Sequence, residues 1–185
     1  MKLVQNSWFK KILMIVCLGA AVAGGWYYFH TPQTNIQEFV ESRDMQKILD
    51  LFDKNWYWLT PQTREEFDPS VYFKYRTHSH SPAHFGKLLV KVLYEKESFV
   101  GFIAYYKEQF YSGRILFITI DPVFRSKGYG AQLLAYAVKD LQEQGASVIR
   151  ILTRTENFAG QALYKKSGFK EDWRDNTYVE FIKYL

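Results

Sequence analysis

Apolar and polar residues follow two different rhythms along this chain of 185 residues. Apolar residues that recur every three to four positions predict helices, and short runs rich in β-branched and aromatic residues predict strands. Helices are expected at 44–55, 131–145 and 158–168. Strands are expected at 36–41, 87–95, 99–106, 113–121 and 147–153, and one bent strand or two short strands within 173–185.

The order of these elements predicts the fold. A strand and a helix come first, antiparallel strands that include a hairpin follow, and the chain ends in strand, helix, strand, helix and strand. This order is typical of an α/β fold with a mixed central sheet. Residues 55–84 are aromatic and interrupted by prolines, and their pattern predicts no definite element.

The first 35 residues have a different pattern from the rest. Residues 12–29 hold no charge over 18 positions, which meets the usual minimum length of a membrane-spanning helix. Aromatic residues stand at both ends of this run, as at two interfaces between lipid and water. A cleaved signal peptide with its cleavage site at Ala21 to Ala23 is the alternative. We expect residues 1–35 to form a tail, a single transmembrane helix at 12–29 and a short linker, followed by one domain at 36–185.

Composition narrows the classes of partner. The chain carries a net charge of +5, but three lysines and no acid fall in the first 35 residues. The remaining 150 residues hold 21 Lys and Arg against 19 Asp and Glu, which is ordinary for a folded domain, so we expect no nucleic-acid partner. A single Cys excludes an internal disulfide and a cysteine-rich metal site.

The junction between the strand at 113–121 and the following helix reads RSKGYG. The first N–H groups of a helix have no acceptor within it and attract anions. Gly128 and Gly130 allow close approach of a bulky anion, and Arg125 and Lys127 add positive charge. The spacing fits neither a nucleotide P-loop nor a dinucleotide-binding fingerprint. The junction therefore predicts a pyrophosphate site, and a simple glycine-containing turn is the alternative.

Two stretches resemble the GNAT superfamily, the acyl-CoA-dependent N-acyltransferases. IDPVFRSKGYGAQLL resembles the R/Q-x-x-G-x-G/A loop of that family, and TRTENFAGQALYKKSGFKE resembles its second signature, a helix followed by Gly-Phe. The resemblance covers about residues 36–185 and implies a mixed, mostly antiparallel central sheet flanked by helices, here preceded by the expected transmembrane helix. In the second stretch the matching residues are Asn157, Ala162, Tyr164, Gly168 and Phe169.

The resemblance also implies roles for individual residues. In the family, main-chain amides of the loop bind the pyrophosphate of coenzyme A, and the open edge of the preceding strand, here Ile118 and Ile120, pairs with the pantetheine arm. Asn157 would contact that arm, and Tyr164 would protonate the leaving thiolate as the general acid. The loop positions are Arg125, Ser126, Lys127, Gly128, Tyr129 and Gly130, with Ala131 at the start of the helix.

Each of these residues also has a plainer interpretation. Ile118 and Ile120 fit core positions of a strand, Tyr164 fits a packing aromatic, and Asn157 fits a helix N-cap. Asp121 is a weak candidate for the base that deprotonates the acceptor amine, because a carboxylate needs a raised pKa for that task.

The sequence HSHSPAH places His78, His80 and His84 close together. A zinc site, a substrate-facing loop and a solvated loop are the three interpretations of this spacing. We expect no metal, because no Cys or carboxylate is nearby in the sequence.

The sequence thus predicts an enzyme, a membrane-anchored GNAT-type N-acetyltransferase. Its co-substrate would be acetyl-CoA, its acceptor the primary amine of an unidentified compound, and residues 12–29 would contact the lipid bilayer. A catalytically silent module that binds coenzyme A or a protein partner is the alternative, and cleavage after Ala23 would make the protein secreted. The N-terminal lysines favour a domain outside the cytoplasm, but acetyl-CoA is cytosolic, so we expect the domain on the cytoplasmic side.

Overall fold

A computed structural model describes residues 34–76, 84–108 and 110–185. The predicted transmembrane segment lies outside these residues, as do His78, His80 and the side chain of His84. Within the described ranges, no helix is both long enough and apolar enough to cross a bilayer. The described residues belong to one compact unit that runs from Thr34 to Leu185.

The described residues form a single mixed sheet. Its strands are β1 (Thr34–Glu38), β2 (His84–Glu95), β3 (Ser98–Glu108), β4 (Ser112–Ile120), β5 (Val148–Arg154), β6 (Lys170–Arg174) and β7 (Tyr178–Tyr184). They lie side by side in the order β1-β2-β3-β4-β5-β7-β6. The β4–β5 pair is parallel and every other neighbouring pair in this sheet is antiparallel. The predicted mixed, mostly antiparallel sheet is therefore confirmed.

Helices flank this sheet, as predicted. The described helices are α1 (Glu41–Lys54), α2 (Trp56–Leu59), α3 (Pro69–Tyr75), α4 (Tyr129–Glu143) and α5 (Phe158–Lys166). A short 3₁₀ turn at Pro122–Phe124 follows β4. Both α2 and α3 lie in the part of the chain whose sequence pattern predicted no element.

The structure corrects three predicted boundaries. α1 begins at Glu41 instead of Asp44, which lies within the first turn, where its carboxylate accepts a hydrogen bond from the Val40 N–H at 2.7 Å. α4 begins at Tyr129 instead of Ala131, because Gly128 adopts the left-handed conformation and is the N-cap. The C-terminal region forms two strands, β6 and β7, and β6 begins at Lys170 instead of residue 173.

Two hydrophobic clusters cover the two faces of the sheet. Successive side chains of a strand point to opposite faces, so Ile103 and Tyr105 of β3 join one cluster, whereas Phe102 and Ala104 join the other. The first cluster includes the buried side of α4 and Tyr164 of α5. The second includes the buried apolar residues of α1 and α3. The first face is called the α4–α5 face below, and the second the α1–α3 face.

Candidate active site

β4 separates from its parallel neighbour β5 partway along its length. Their pairing ends at Ile115 and Ile151. At the same point β4 contains a β-bulge, in which Leu116 has no partner on β3. A bulge bends its strand and increases its twist, which accounts for the separation. Residues 117–120 pair with β3, and on the side of β5 their main-chain groups have no strand partner among the described residues, so this edge is open to a ligand.

A cleft of about 480 Å³ opens where the strands separate. This volume lies in the range of small-molecule sites, and the walls are mostly apolar and aromatic. Among the described residues that line the cleft, the charged side chains are Arg114 and Arg154, and no carboxylate is present. The lining residues that matter below are Tyr57, Trp58, Leu116, Leu152, Thr153 and Tyr178.

Successive residues of β5 point to opposite sides of this cleft. Thr153 is buried, and its hydroxyl accepts a hydrogen bond from the Asn157 side-chain N–H at 2.9 Å, on the α4–α5 face. The neighbouring Arg154 points towards α2, where its Nε donates a hydrogen bond to the Tyr57 carbonyl oxygen at 2.6 Å. The cleft can therefore be reached by different groups from the two faces of the sheet.

The N-terminus of α4 presents free main-chain donors at the end of β4. No side chain in the part of the chain that the structure describes caps this helix, and its first turn contains no acidic residue. The first intrahelical bond runs from the Gln132 N–H to the Gly128 carbonyl oxygen at 3.1 Å, so the N–H groups of Tyr129, Gly130 and Ala131 have no acceptor within the helix. Gly128 has a φ of +86°, and a Cβ there would meet nothing within 4 Å. This geometry fits a bulky anion such as a pyrophosphate.

The two cations of the loop are placed differently from each other. Arg125 was expected to hold phosphate oxygens, but its Nε donates to the Ile120 carbonyl oxygen at 3.1 Å and its Nη2 donates to Asn55 Oδ1 at 2.8 Å. These bonds tie the end of β4 to the C-terminus of α1 and use part of the guanidinium. Lys127 is exposed, with its ammonium 5.2 Å from the centre of the Phe124 ring.

Three other loop residues act mainly through the backbone. Ser126 has a φ of +62°, a left-handed conformation that favours glycine. The Tyr129 side chain is buried and its hydroxyl donates to the Glu95 carboxylate at 2.6 Å, so its N–H, and not its ring, is available to a ligand. A Cβ at Gly130 would lie 3.2 Å from the Leu163 Cδ2 atom, so this glycine allows α4 to pack against α5.

The side chains of Ile118 and Ile120 are half-buried against the cluster beneath α4. The plainer interpretation of these side chains as core residues is therefore confirmed. Pairing of their main chain with a pantetheine arm stays a prediction, which the open edge of β4 allows.

Tyr164 lies on the α4–α5 face beside the cleft. Its side chain is 4% exposed and packs against Phe169 and Phe181. Burial raises the pKa of the phenol well above its ordinary value, and a hydrogen bond with Thr153 offsets a small part of this rise. Because Thr153 lines the cleft, the phenol hydroxyl lies next to the cleft wall. The raised pKa keeps this hydroxyl protonated at neutral pH.

Asn157 is the N-cap of α5. Its Oδ1 accepts the Gly160 N–H at 3.0 Å, and its Nδ2 donates to Thr153 Oγ1 at 2.9 Å. The interpretation of Asn157 as an N-cap is confirmed, and its contact with coenzyme A stays a prediction. Asn157 and Thr153 are thus joined by a hydrogen bond along the wall of the cleft, and Tyr164 lies next to Thr153.

The candidate base Asp121 has a structural role in the turn after β4, where its carboxylate accepts the Val123 N–H at 3.1 Å. Arg114 in the cleft wall is neutralised by Glu108 at 2.7 Å and Glu180 at 3.0 Å. In the described ranges, no group of three His, Cys, Asp or Glu side chains is arranged to hold a metal ion.

Thr153 and Arg154 line the cleft but were not identified from the sequence. The contact between Arg154 and Tyr57 joins residues 97 positions apart, so no local pattern places Arg154 beside Tyr57. The signal available for Thr153 was its place at the end of a strand, four residues before Asn157.

Comparison with known proteins is consistent with this geometry. The model of the acetyltransferase (GNAT) family matches residues 45–169. Over 54 residues the chain is 35% identical to the [ribosomal protein bS18]-alanine N-acetyltransferase of Salmonella typhimurium, an alignment that covers 29% of this chain and 36% of that relative. The alignment therefore spans about a third of the relative's length.

Solved structures share the fold over a longer range. The ribosomal-protein-S18-alanine N-acetyltransferase of Escherichia coli matches with a TM-score of 0.62 and 17% identity, over 81% of this chain and 92% of that one. The PaiA N-acetyltransferase of Thermoplasma acidophilum, solved in complex with coenzyme A, matches with a TM-score of 0.64 and 20% identity, over 83% of this chain and 99% of that one.

Proposed function

This chain belongs to the acetyltransferase (GNAT) family, and from that premise we propose that it is an N-acetyltransferase that moves the acetyl group of acetyl-CoA to a primary amine. One observation carries the proposal. The open edge of β4 begins at the cleft, Thr153 beside the protonated phenol of Tyr164 lines that cleft, and the uncapped N-terminus of α4 lies against Ile120 at the far end of the same edge.

The residues of the chain fit coenzyme A as a ligand. The N–H groups at the start of α4, together with the loop from Arg125 to Gly128, would hold the pyrophosphate, and the helix dipole favours the negative charge. The space in front of Gly128 leaves room for phosphate oxygens. The main chain at Ile118 and Ile120 would align the pantetheine arm, and bound acetyl-CoA would supply a thioester at the cleft.

The chemical step needs two groups from the chain. A main-chain N–H on the open edge of β4 would donate a hydrogen bond to the thioester carbonyl oxygen and stabilise its developing charge. The neutral amine nitrogen attacks the carbonyl carbon, an N–C bond forms, and the C–S bond breaks. Tyr164 donates its proton to the departing sulfur, the extra proton of the amine passes to water, and the Tyr164 phenolate regains a proton from water. The products are the acetylated amine and coenzyme A, so no further reactant is required.

The acceptor is proposed at the level of a primary amine. The relatives acetylate the alanine of a ribosomal protein, as their names state. Peptide N-termini therefore belong in the set of acceptors to be tested, together with free amino acids, lysine, polyamines and aminosugars.

A catalytically silent module that binds coenzyme A is the second candidate. It is favoured by the lack of a carboxylate among the described residues that line the cleft, since such a group could deprotonate the acceptor. A water molecule can serve as the base in its place, and the protonated Tyr164 phenol has no evident use in a module that only binds.

A thiol-release assay separates the two candidates. The full-length protein is incubated with acetyl-CoA and a panel of amines, free coenzyme A is measured, and calorimetry measures coenzyme A binding. We expect binding and amine-dependent release, both weakened when the α4 N-terminus is altered. Binding without release for any amine would support the silent module, and no binding at all would overturn both candidates.

Residues 36–185 are proposed to form the catalytic domain and residues 12–29 a single membrane anchor, with the domain on the cytoplasmic side. Acetyl-CoA supports this orientation because it is a cytosolic compound. Fractionation of cells tests the anchor, protease protection of intact cells tests the orientation, and mass spectrometry of the mature N-terminus tests cleavage after Ala23.

A further inference from the structure

We propose that the cleft selects amines that also carry a carboxylate beside an apolar side chain, the chemistry of an amino acid, and that Arg154 binds that carboxylate. This inference rests on the proposed function and specifies its acceptor. It concerns the face of the cleft opposite to Tyr164, where α2 contributes the wall.

Arg154 is held in one orientation at the cleft. Its Nε donates to the Tyr57 carbonyl oxygen at 2.6 Å. Its guanidinium carbon lies 4.0 Å from the centre of the Tyr57 ring and 5.4 Å from that of Tyr178. A guanidinium stacked on aromatic rings keeps its charge and its planar set of donors, and little side-chain entropy is left to lose when it binds a carboxylate.

The charge of Arg154 is not neutralised by an ion pair within the described part of the chain. Arg114, the other arginine of the cleft, is bound by two carboxylates. Glu156, two residues beyond Arg154, accepts a hydrogen bond from the Tyr57 hydroxyl at 2.9 Å. The cleft therefore presents one oriented cation with donors that lack a carboxylate partner.

The remaining walls define the other half of the acceptor. Trp58 and Leu152 are large apolar side chains that are 43% and 44% exposed, and both line the cleft. An apolar acceptor side chain would cover them and remove this area from water. A polyamine or aminosugar would instead bring further positive charge next to Arg154, which costs free energy in a cleft that excludes water.

The amine has a defined place in this arrangement. Arg154 and Leu152 point to the α1–α3 face, whereas Thr153 and Tyr164 lie on the α4–α5 face. An acceptor whose carboxylate pairs with Arg154 directs its amine into the gap between β4 and β5, towards the open edge of β4. In an amino acid the amine and the carboxylate are attached to the same carbon atom. An acceptor whose carboxylate binds Arg154 on β5 therefore keeps its amine within the width of that strand.

The test compares three acceptors that differ at the carboxylate, namely phenylalanine, phenylalaninamide and phenethylamine. We expect kcat/KM to be about 10- to 100-fold higher for phenylalanine than for phenethylamine, the usual effect of one hydrogen-bonded charge. The amine of phenylalaninamide is less basic than that of phenylalanine, so more of it is in the reactive neutral form. A preference for phenylalanine over phenylalaninamide therefore cannot come from amine reactivity. Spermidine represents polycationic acceptors and should be the poorest.

Variants of Arg154 assign the preference to this residue. Within each variant, Arg154→Gln should remove the preference for phenylalanine over phenethylamine, and Arg154→Glu should reverse it. Lys139→Gln removes the same charge from an exposed site on α4 and should leave the preference unchanged. Thermal unfolding of each variant shows whether it is folded, and Arg154→Lys, which keeps the charge, should retain part of the preference.

Two sources of the carboxylate are separated by a further pair of acceptors. A peptide that begins with Phe-Asp is compared with one that begins with Phe-Asn. A preference for the first peptide, lost in Arg154→Gln, would identify an acidic peptide N-terminus as the acceptor, and activity confined to free phenylalanine would identify an amino acid. If acetyl-CoA is turned over but phenethylamine or spermidine is as good a substrate as phenylalanine, the inference is wrong and the proposed function stands. Without turnover of any amine, the proposed function fails first.

Discussion

Tyr164 can act through its ring, by packing, or through its hydroxyl, by donating a proton. A single substitution distinguishes these two roles. Tyr164→Phe keeps the ring that contacts Phe169 and Phe181 and removes the acid. We expect kcat to fall by about 100-fold, at the low end of the effect of a general acid, while coenzyme A binding is unchanged. Steady-state kinetics and calorimetry provide the two measurements, with Tyr184→Phe at a 75% exposed site as the control.

The pH profile adds a second check on Tyr164. Burial raises the pKa of this phenol, so it is still protonated above pH 10, where an ordinary tyrosine has begun to ionise. We expect kcat/KM to rise with pH as the acceptor amine loses its proton, without a fall near pH 10 caused by the acid. A fall centred near pH 10 that disappears in Tyr164→Phe would assign the acid to Tyr164 but contradict the raised pKa of its phenol.

Gly128 has a left-handed backbone conformation and faces an open space. Gly145 has the same conformation and lies outside the proposed site, so it separates the two effects. Gly128 and Gly145 have φ of +86° and +85°, so alanine at either position should lower the free energy of unfolding by about 1–2 kcal/mol. Gly128→Ala also places a methyl group in the proposed pyrophosphate site and should weaken coenzyme A binding by about tenfold, which corresponds to the loss of one charge-assisted hydrogen bond. Calorimetry on both variants decides the matter, because equal affinities would remove Gly128 from the site.

The residues that sequence reasoning identified all carry a local signal. Gly128 and Asn157 each precede a stretch with the apolar periodicity of a helix, so each indicates where a helix begins. Arg154 carries no such signal, since its position depends on Tyr57, which is 97 residues away. Arg125 was expected to bind phosphate directly because of its charge. Its hydrogen bond with Asn55 could not be predicted, because the two residues are far apart in the sequence.

At the scale of elements, the divergence of β4 from β5 provides the place for a thioester. The hydrophobic pattern predicted both strands, but the bulge at Leu116 changes the register by one residue and has no distinct sequence signal. The strand pair is joined over 112–115 and 148–151, and beyond these residues no hydrogen-bond ladder connects the two strands. Twist and bulge together therefore decide where the cleft begins.

Hydrogen–deuterium exchange tests this edge directly. Coenzyme A that pairs with β4 as an added strand should slow exchange at residues 117–120 and in the first turn of α4. The same measurement on β7, which is paired on both sides within the sheet, should show no change on binding. Protection at the start of α4 without protection at 117–120 would show that the pyrophosphate site is correct and the strand pairing is wrong.

At the scale of the whole molecule, the order of elements along the chain was enough to predict a mixed α/β sheet. The order of strands across the sheet was not predicted, because β7 inserts between β5 and β6 by long-range pairing. Residues 55–84 gave no pattern since α2 and α3 are short and much of their stability comes from aromatic packing onto the sheet.

The buried tyrosines of both cores make the stability of the whole domain sensitive to alkali. Burial raises the pKa of Tyr72, Tyr105 and Tyr164, and for Tyr105 the Asp140 carboxylate that accepts its hydroxyl adds to the effect. In the unfolded chain these phenols ionise near pH 10. Their contribution is therefore complete below pH 10 and is lost as the pH rises above that value, because only the unfolded state releases the protons.

We expect the free energy of unfolding to fall above pH 10 by up to about 1.4 kcal/mol per pH unit for each buried tyrosine. Urea unfolding followed by circular dichroism between pH 8 and about 12 measures this slope. Tyr164→Phe should make the slope shallower by the share of one phenol, and Tyr184→Phe, at an exposed site, should leave it unchanged. An unaltered slope in Tyr164→Phe would mean that this phenol ionises as easily in the folded protein as in the unfolded chain. Its hydroxyl would then be in contact with water, and the raised pKa on which the expected pH profile depends would be wrong.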